Sequence, residues 1–179
     1  MGFLYKQHTI KNPISFEGIS IHSGKNCTVK LLPTNPNSGI NFIRTDIKKN
    51  NVIPAKWSNV VDTKLCSVIS NKFGVKVSTI EHLMSAISMM NIDNLNIEIN
   101  SSEVPILDGS AKIFVDKINK VGVLRQNEDK KFIKILKTVK VKKEEAYASL
   151  SPSNNSFAIS YDINYPHPLI KSENFKIEM

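Results

Sequence analysis

With 179 residues, 41% of them hydrophobic and 22% charged, the chain falls in the ordinary soluble globular class. It is long enough for one full domain and part of another, and low-complexity disorder is excluded. The net charge of +8 would suit nucleic acid or an acidic membrane surface, but the basic residues are Lys apart from Arg44 and Arg125, and base readout and phosphate forks favour Arg.

The 19 Asn and 23 Ile that accompany those Lys are the codon signature of an A- and T-rich genome, so no nucleic-acid partner is expected. No apolar run reaches signal-peptide or membrane-spanning length, and Lys6 stands where a myristoylation motif would want Ser or Thr. A cytoplasmic protein without stable membrane insertion is the expectation. Cys27 and Cys66 are too few and too isolated for a disulfide framework or a Cys-based metal cluster.

In chain order, residues 9–16 and 27–32 read as a strand pair joined by the turn-rich 18–25 segment, and residues 33–39 read as loop. Residues 40–44 predict a third strand, followed by a polar stretch to Pro54. Residues 65–70 and 75–77 predict a hairpin about the turn Asn71-Lys72-Phe73-Gly74. After Ser78 the period becomes helical, with Ile80, Leu83, Met84, Ile87 and Asn91 on one side and His82, Ser85, Ala86 and Met89 opposite. The opposite side carries no charge, which is usual for a helix covered on both sides.

Residues 95–99 alternate as a strand, and 103–110 lead into a second helix over about 111–121, stopped by Gly122. Residues 1–124 therefore make a first α+β domain, a two-layer unit of sheet and helix, and the polar 125–131 stretch reads as a linker. Residues 132–141, 146–151 and 157–165 supply further strands, with a turn at 152–155 and a bend at Tyr165-Pro166-His167-Pro168. No helix covers them. Residues 132–179 therefore look like the start of an incomplete second domain, short of the layer that would close its core.

The sharpest local feature is Ser78-Thr79-Ile80-Glu81-His82-Leu83, a carboxylate beside an imidazole in the first turn of a nearly uncharged helix. Two readings compete. Ser78 and Glu81 could be the ends of a capping box. Alternatively, His82 could offer a nitrogen to a divalent metal while Glu81 takes a proton from an activated water.

The segments 18–25 (GISIHSGK), 62–66 (DTKLC), 78–83 (STIEHL), 93–94 (DN) and 103–110 (EVPILDGS) together resemble the UDP-3-O-acyl-N-acetylglucosamine deacetylases, in that family's order and spacing. The similarity spans almost the whole chain and favours the metal reading. It implies a two-domain α+β fold with the active site between domains, and a zinc-dependent removal of acetate at the committed step of lipid A synthesis in Gram-negative bacteria. The residue matching Glu81 is the general base and the one matching His82 a zinc ligand. Thr63, Leu65 and Cys66 are expected beside the acyl chain and the zinc cleft, and His22 in a loop near the same cleft. Asp108, Gly109 and Ser110 are read as scaffold, a turn and helix cap.

The family's other zinc ligands, a His and an Asp four residues apart, have no counterpart: positions four after His8, His22 and His167 hold Asn12, Asn26 and Lys171. The resemblance thus implies an amino-terminal portion with one zinc ligand, the others lying beyond residue 179 with the missing half of the second domain. Such a chain is expected to be inactive alone. A degenerate homologue acting as a binding module is the alternative, and a basic RNA-binding domain a more distant one.

Overall fold

A computed structural model describes residues 5–154 and 156–178. The chain divides into two compact units, residues 1–130 and 131–179.

In the first unit the strands are β1 (Lys6–Ile10), β2 (Ile14–Ile19), β3 (Asn26–Pro33), β4 (Ile40–Arg44), β5 (Val52–Pro54), β6 (Val60–Asp62), β7 (Val68–Ser70) and β8 (Lys76–Val77). Helix α1 (Glu81–Met89), β9 (Leu95–Ile99), α2 (Lys112–Val121) and β10 (Val123–Asp129) complete it. The main sheet runs β2-β3-β9-β4-β5, antiparallel except where β4 lies parallel to β9. Alternation decides which face is covered: Cys27, Val29 and Leu31 of β3, with Leu95, Ile97 and Ile99 of β9, are buried. On that core lie Leu83, Ala86 and Ile87 of α1 and Phe114 and Ile118 of α2. The rings of Phe16 and Phe114 meet at 4.9 Å between centroids. The α+β reading of this unit holds.

The smaller sheet, β6-β7-β8, is tied to the main one through Arg44. Its guanidinium donates to both carboxylate oxygens of Asp46, at 2.8 and 2.6 Å, and to the Lys76 carbonyl at 2.7 Å. The Arg44 hydrogen bonds hold the Asp46 carboxyl below the usual carboxylate range. Two glycines meet steric demands. A Cβ on Gly18 would lie 3.0 Å from Leu107 and 3.2 Å from Pro105, so glycine lets the 105–107 segment cross β2 closely. Gly122, at φ 78°, ends α2 as its composition predicts.

Several expectations need correction. The single strand over 9–16 is split at Lys11-Asn12-Pro13 into β1 and β2, because β1 pairs with β10 while β2 pairs with β3. Residues 65–70 are extended only from Val68, and the polar stretch before Pro54 contains β5. Residues 125–129 of the supposed linker lie in β10, where the ladder to β1 outweighs a composition that reads as solvated loop. Ala86, assigned to the outer side of α1, is buried because α2 packs beside α1.

In the second unit, β11 (Val139–Lys143) pairs with β12 (Ala146–Leu150), and β13 (Ala158–Asn164) with β14 (Ser172–Glu178). Residues 132–138 form no strand, and β14 was not foreseen. The bend at 165–170 comes directly after β13 and is closed by the Tyr165 amide on the Lys171 carbonyl, 2.9 Å. Of the turn expected at 152–155, Asn155 lies outside the described residues. Among the described residues of this unit none is buried.

β1 is locked to the loop between α1 and β9. The His8 carbonyl accepts from the amides of Asp93 and Asn94, and the His8 amide donates to the Asp93 carboxylate at 2.9 Å. Lys130 pairs with Asp93 at 3.0 Å and donates to Asn91. The His8 ring is fully buried, and burial lowers its pKa. Asp93 opposes that shift, while Lys130 and Arg125 add to it. The unfolded chain therefore takes up this proton first as pH falls, so stability is full above the ordinary imidazole pKa and declines below it. Urea titrations should give a falling unfolding free energy from about pH 7.5 to about pH 5.5, the range spanning a free imidazole. The His8→Gln variant should show a flatter slope over that interval, and equal slopes would rule out His8 as the source.

Candidate functional site

The chain reaches α1 through an unusual turn. Ser78 bridges Glu103 in parallel register, its amide donating to the Ser102 carbonyl and its carbonyl accepting from Val104. Thr79 then adopts φ 55°, a left-handed conformation that costs a β-branched residue on the order of 1–3 kcal/mol. The helix starts at Glu81, with Ile80 at the cap position and no side-chain capping bond. The capping-box reading is therefore overturned, because the left-handed Thr79 takes Ser78 out of reach of the helix amides. The Glu81 carboxylate instead accepts from the Ser67 amide through Oε2, at 3.0 Å.

His82 comes next on the same turn, partly buried. On the uncharged outer side of α1, Ser85 is exposed and Met89 75% exposed, while Ala86 is buried.

His22, Asp62, Lys64, Leu65, Cys66 and Ser78 line one open depression of about 320 Å³. Three of the four expected substrate residues, His22, Leu65 and Cys66, are thus brought together. Thr63, in the same β6–β7 connection, is exposed but not among the lining residues. Leu65 is 79% exposed, an apolar side chain offered at the rim. Asp62 shapes the connection by accepting from the Lys64 amide at 3.0 Å. Because Ser67 comes directly after Cys66, the bond to Glu81 joins the back of this connection to the start of α1.

Glu103 went unassigned by sequence reasoning, yet it organises the surroundings. It is 2% exposed, and its carboxylate accepts from the amides of His22 and Ser23, each at 2.9 Å, and from the Thr79 hydroxyl at 3.2 Å. Its carbonyl accepts from the Ser20 hydroxyl at 3.0 Å. Burial alone would raise its pKa; the bonds from His22, Ser23 and Thr79 together outweigh that and hold the carboxyl below the usual carboxylate range. The sequence signals were its place at the head of the 103–110 segment that carries the resemblance and its acidic character before the apolar 104–107 run. Asp108 and Ser110 form the expected turn, but the cap position of α2 falls on Ala111, which makes no side-chain capping bond. Asp108 accepts from the Ser110 amide, and the Ser110 hydroxyl accepts from the Lys112 amide in the first turn of α2.

Among the described residues no group of three or more His, Cys, Asp or Glu is placed to hold a metal ion. Among the same residues no helix is long and apolar enough to cross a membrane. The start of α1 thus offers one imidazole and one carboxylate, neither of them among the residues lining the depression; the Glu81 carboxylate is tied to that region through Ser67, the neighbour of Cys66. Those two groups suit a metal ligand and a proton acceptor, and fall short of a full ligand set.

Comparison with known proteins gives a consistent picture. The family described as LpxC, UDP-3-O-acyl N-acetylglycosamine deacetylase, matches residues 7–179. A protein named UDP-3-O-acyl-N-acetylglucosamine deacetylase from Actinobacillus pleuropneumoniae serotype 3 (strain JL03) is 37% identical over 98% of this chain and 58% of its own length. Proteins of the same name from Pseudoalteromonas atlantica (42% identical, over 93% of this chain and 55% of the relative) and Syntrophus aciditrophicus (38%, over 98% and 55%) are similar. The chain therefore spans little more than half the length of the curated relatives it matches.

The two free thiols differ sharply in environment. Cys27 is 2% exposed in the sheet core, and burial, aided by the nearby Glu103 charge, pushes its pKa up to about 12, whereas Cys66 is partly exposed at the cleft. Since the thiolate is the reactive form, a thiol reagent at mildly alkaline pH should modify Cys66 in the folded protein and Cys27 only after denaturation. Peptide mass mapping of the labelled protein checks this, and early labelling at Cys27 would contradict its placement.

Proposed function

Because the chain belongs to the UDP-3-O-acyl-N-acetylglucosamine deacetylase family, we propose that it supplies part of a zinc-dependent amide hydrolase of lipid A biosynthesis. The reaction removes acetate from UDP-3-O-acyl-N-acetylglucosamine in the cytoplasm. The observation that supports the reading is a Glu81 carboxylate anchored by the Ser67 amide, directly before His82 in sequence, with Ser67 itself following Cys66 of a depression that gathers His22, Leu65 and Cys66.

In this reading His82 is one of the three protein ligands a catalytic zinc needs. The others come from the part of the relatives' length that this chain does not span. Zinc, when bound, supplies Lewis acidity at the amide carbonyl. Ser67 fixes Glu81 through Oε2, so Oε1 is the oxygen that takes a proton from the attacking water. Glu81 then returns that proton to the nitrogen of the departing amine, which leaves acetate and a free 2-amino sugar nucleotide. The exposed Leu65 meets the acyl chain, with Thr63, Cys66 and His22 completing the substrate side. Residues 132–178 begin a second domain of the same α+β kind.

Zinc content and deacetylase activity should be compared between the 179-residue chain and the protein extended to the stop codon of its gene. The longer protein is expected to hold about one zinc, the stoichiometry of a three-ligand catalytic site, and to be active. The shorter chain should show neither. In the longer protein, Glu81→Gln should keep the metal and lose about 10²–10⁴-fold in kcat, the usual range for a general base, while His82→Ala should lose the metal. Metal and activity in the short chain would overturn the placement of the missing ligands. Their absence from both proteins would overturn the deacetylase reading.

A further inference from the structure

We infer that Glu103 is a positioning residue for the deacetylase site, binding the turn that launches Glu81 and His82 and the loop that carries His22 to one buried carboxylate. The inference rests on the reading of Glu81 and His82 given above. Glu103 cannot itself meet substrate: it is 2% exposed, Oε1 accepts from the His22 amide and the Thr79 hydroxyl, and Oε2 accepts from the Ser23 amide.

Its own main chain is fixed from two directions. Ser78 bridges it on one side and the Ser20 hydroxyl reaches its carbonyl on the other. The carboxylate is therefore a stationary reference against which a loop and a helix start are set. Thr79 holds a backbone angle that its branched side chain disfavours, and the bond from its hydroxyl to Glu103 offsets that strain. Only Ile80 separates Thr79 from Glu81, so a relaxed Thr79 would rotate the first turn of α1 and move both Glu81 and His82. Releasing the His22 and Ser23 amides would in turn free the loop that brings His22 to the cleft.

The test uses the longer protein, with kcat and KM expressed per bound zinc. Thr79→Val keeps the shape and loses the hydroxyl. It is expected to lower kcat by about tenfold with little change in KM, as a misplaced reacting group does. Thr79→Ser restores the hydroxyl and should return kcat towards the parental value. Glu103→Gln should lower kcat further and speed hydrogen exchange at the His22 and Ser23 amides. A purely structural role would lower the yield or melting temperature and leave kcat per zinc unchanged. Parental kcat in Thr79→Val therefore overturns the inference, and it does so even if Glu103→Gln fails to fold. An inactive, zinc-free parent overturns the deacetylase reading together with this inference, whereas an active parent with an insensitive Thr79→Val overturns this inference alone.

Discussion

The buried carboxylate of Glu103 is the constraint on which the arrangement of the first unit turns. A charge taken out of water is tolerated only when its lone pairs are used, and here the donors come from two remote parts of the chain, the 22–23 loop and Thr79. Satisfying one anion thus brings together segments some 80 residues apart in sequence. The main-chain bridge between Ser78 and Glu103 adds register to that attraction. The start of α1 at Glu81 and the contact of Glu81 with Ser67 are then set by where that turn releases the chain.

The sheet does a different task. Its inner strands, β3 and β9, present continuous apolar rows, and α1 and α2 close over them with Leu83, Ile87, Phe114 and Ile118. That layer gives α1 a fixed axis, while the polar contacts at its first residue fix its rotation and starting point. Core packing and site geometry are therefore separable: the apolar layer determines that a helix lies there, and a handful of hydrogen bonds determine which way its first two residues face.

Much of this was legible in the residues themselves. Period-two alternation found β9, residues 40–44 were read as the strand β4, the helical pattern found α1 and α2, and Gly122 marked the end of α2. Motif resemblance singled out Glu81, His82 and the residues of the cleft, of which the structure gathers His22, Leu65 and Cys66. The failures have a common cause. Ser78 and Glu81 stand at capping-box spacing, but sequence spacing assumes regular backbone between them, and Thr79 is left-handed. Residues 125–129 look like solvated loop, but pairing with β1 is a long-range event that composition does not record. Glu103 stands in a segment that carries the resemblance, but no role could be read for it, since its partners are visible only once the chain is folded.

The two hairpins of the second unit carry a consequence of their own. Val139, Val141, Tyr147 and Leu150 on one, and Tyr161 and Phe175 on the other, are all at least 47% exposed. Two-stranded ribbons are marginal in water, and an uncovered strand edge is a template for another strand. Where nothing covers these faces, association between molecules competes with the isolated fold, and that competition grows with concentration.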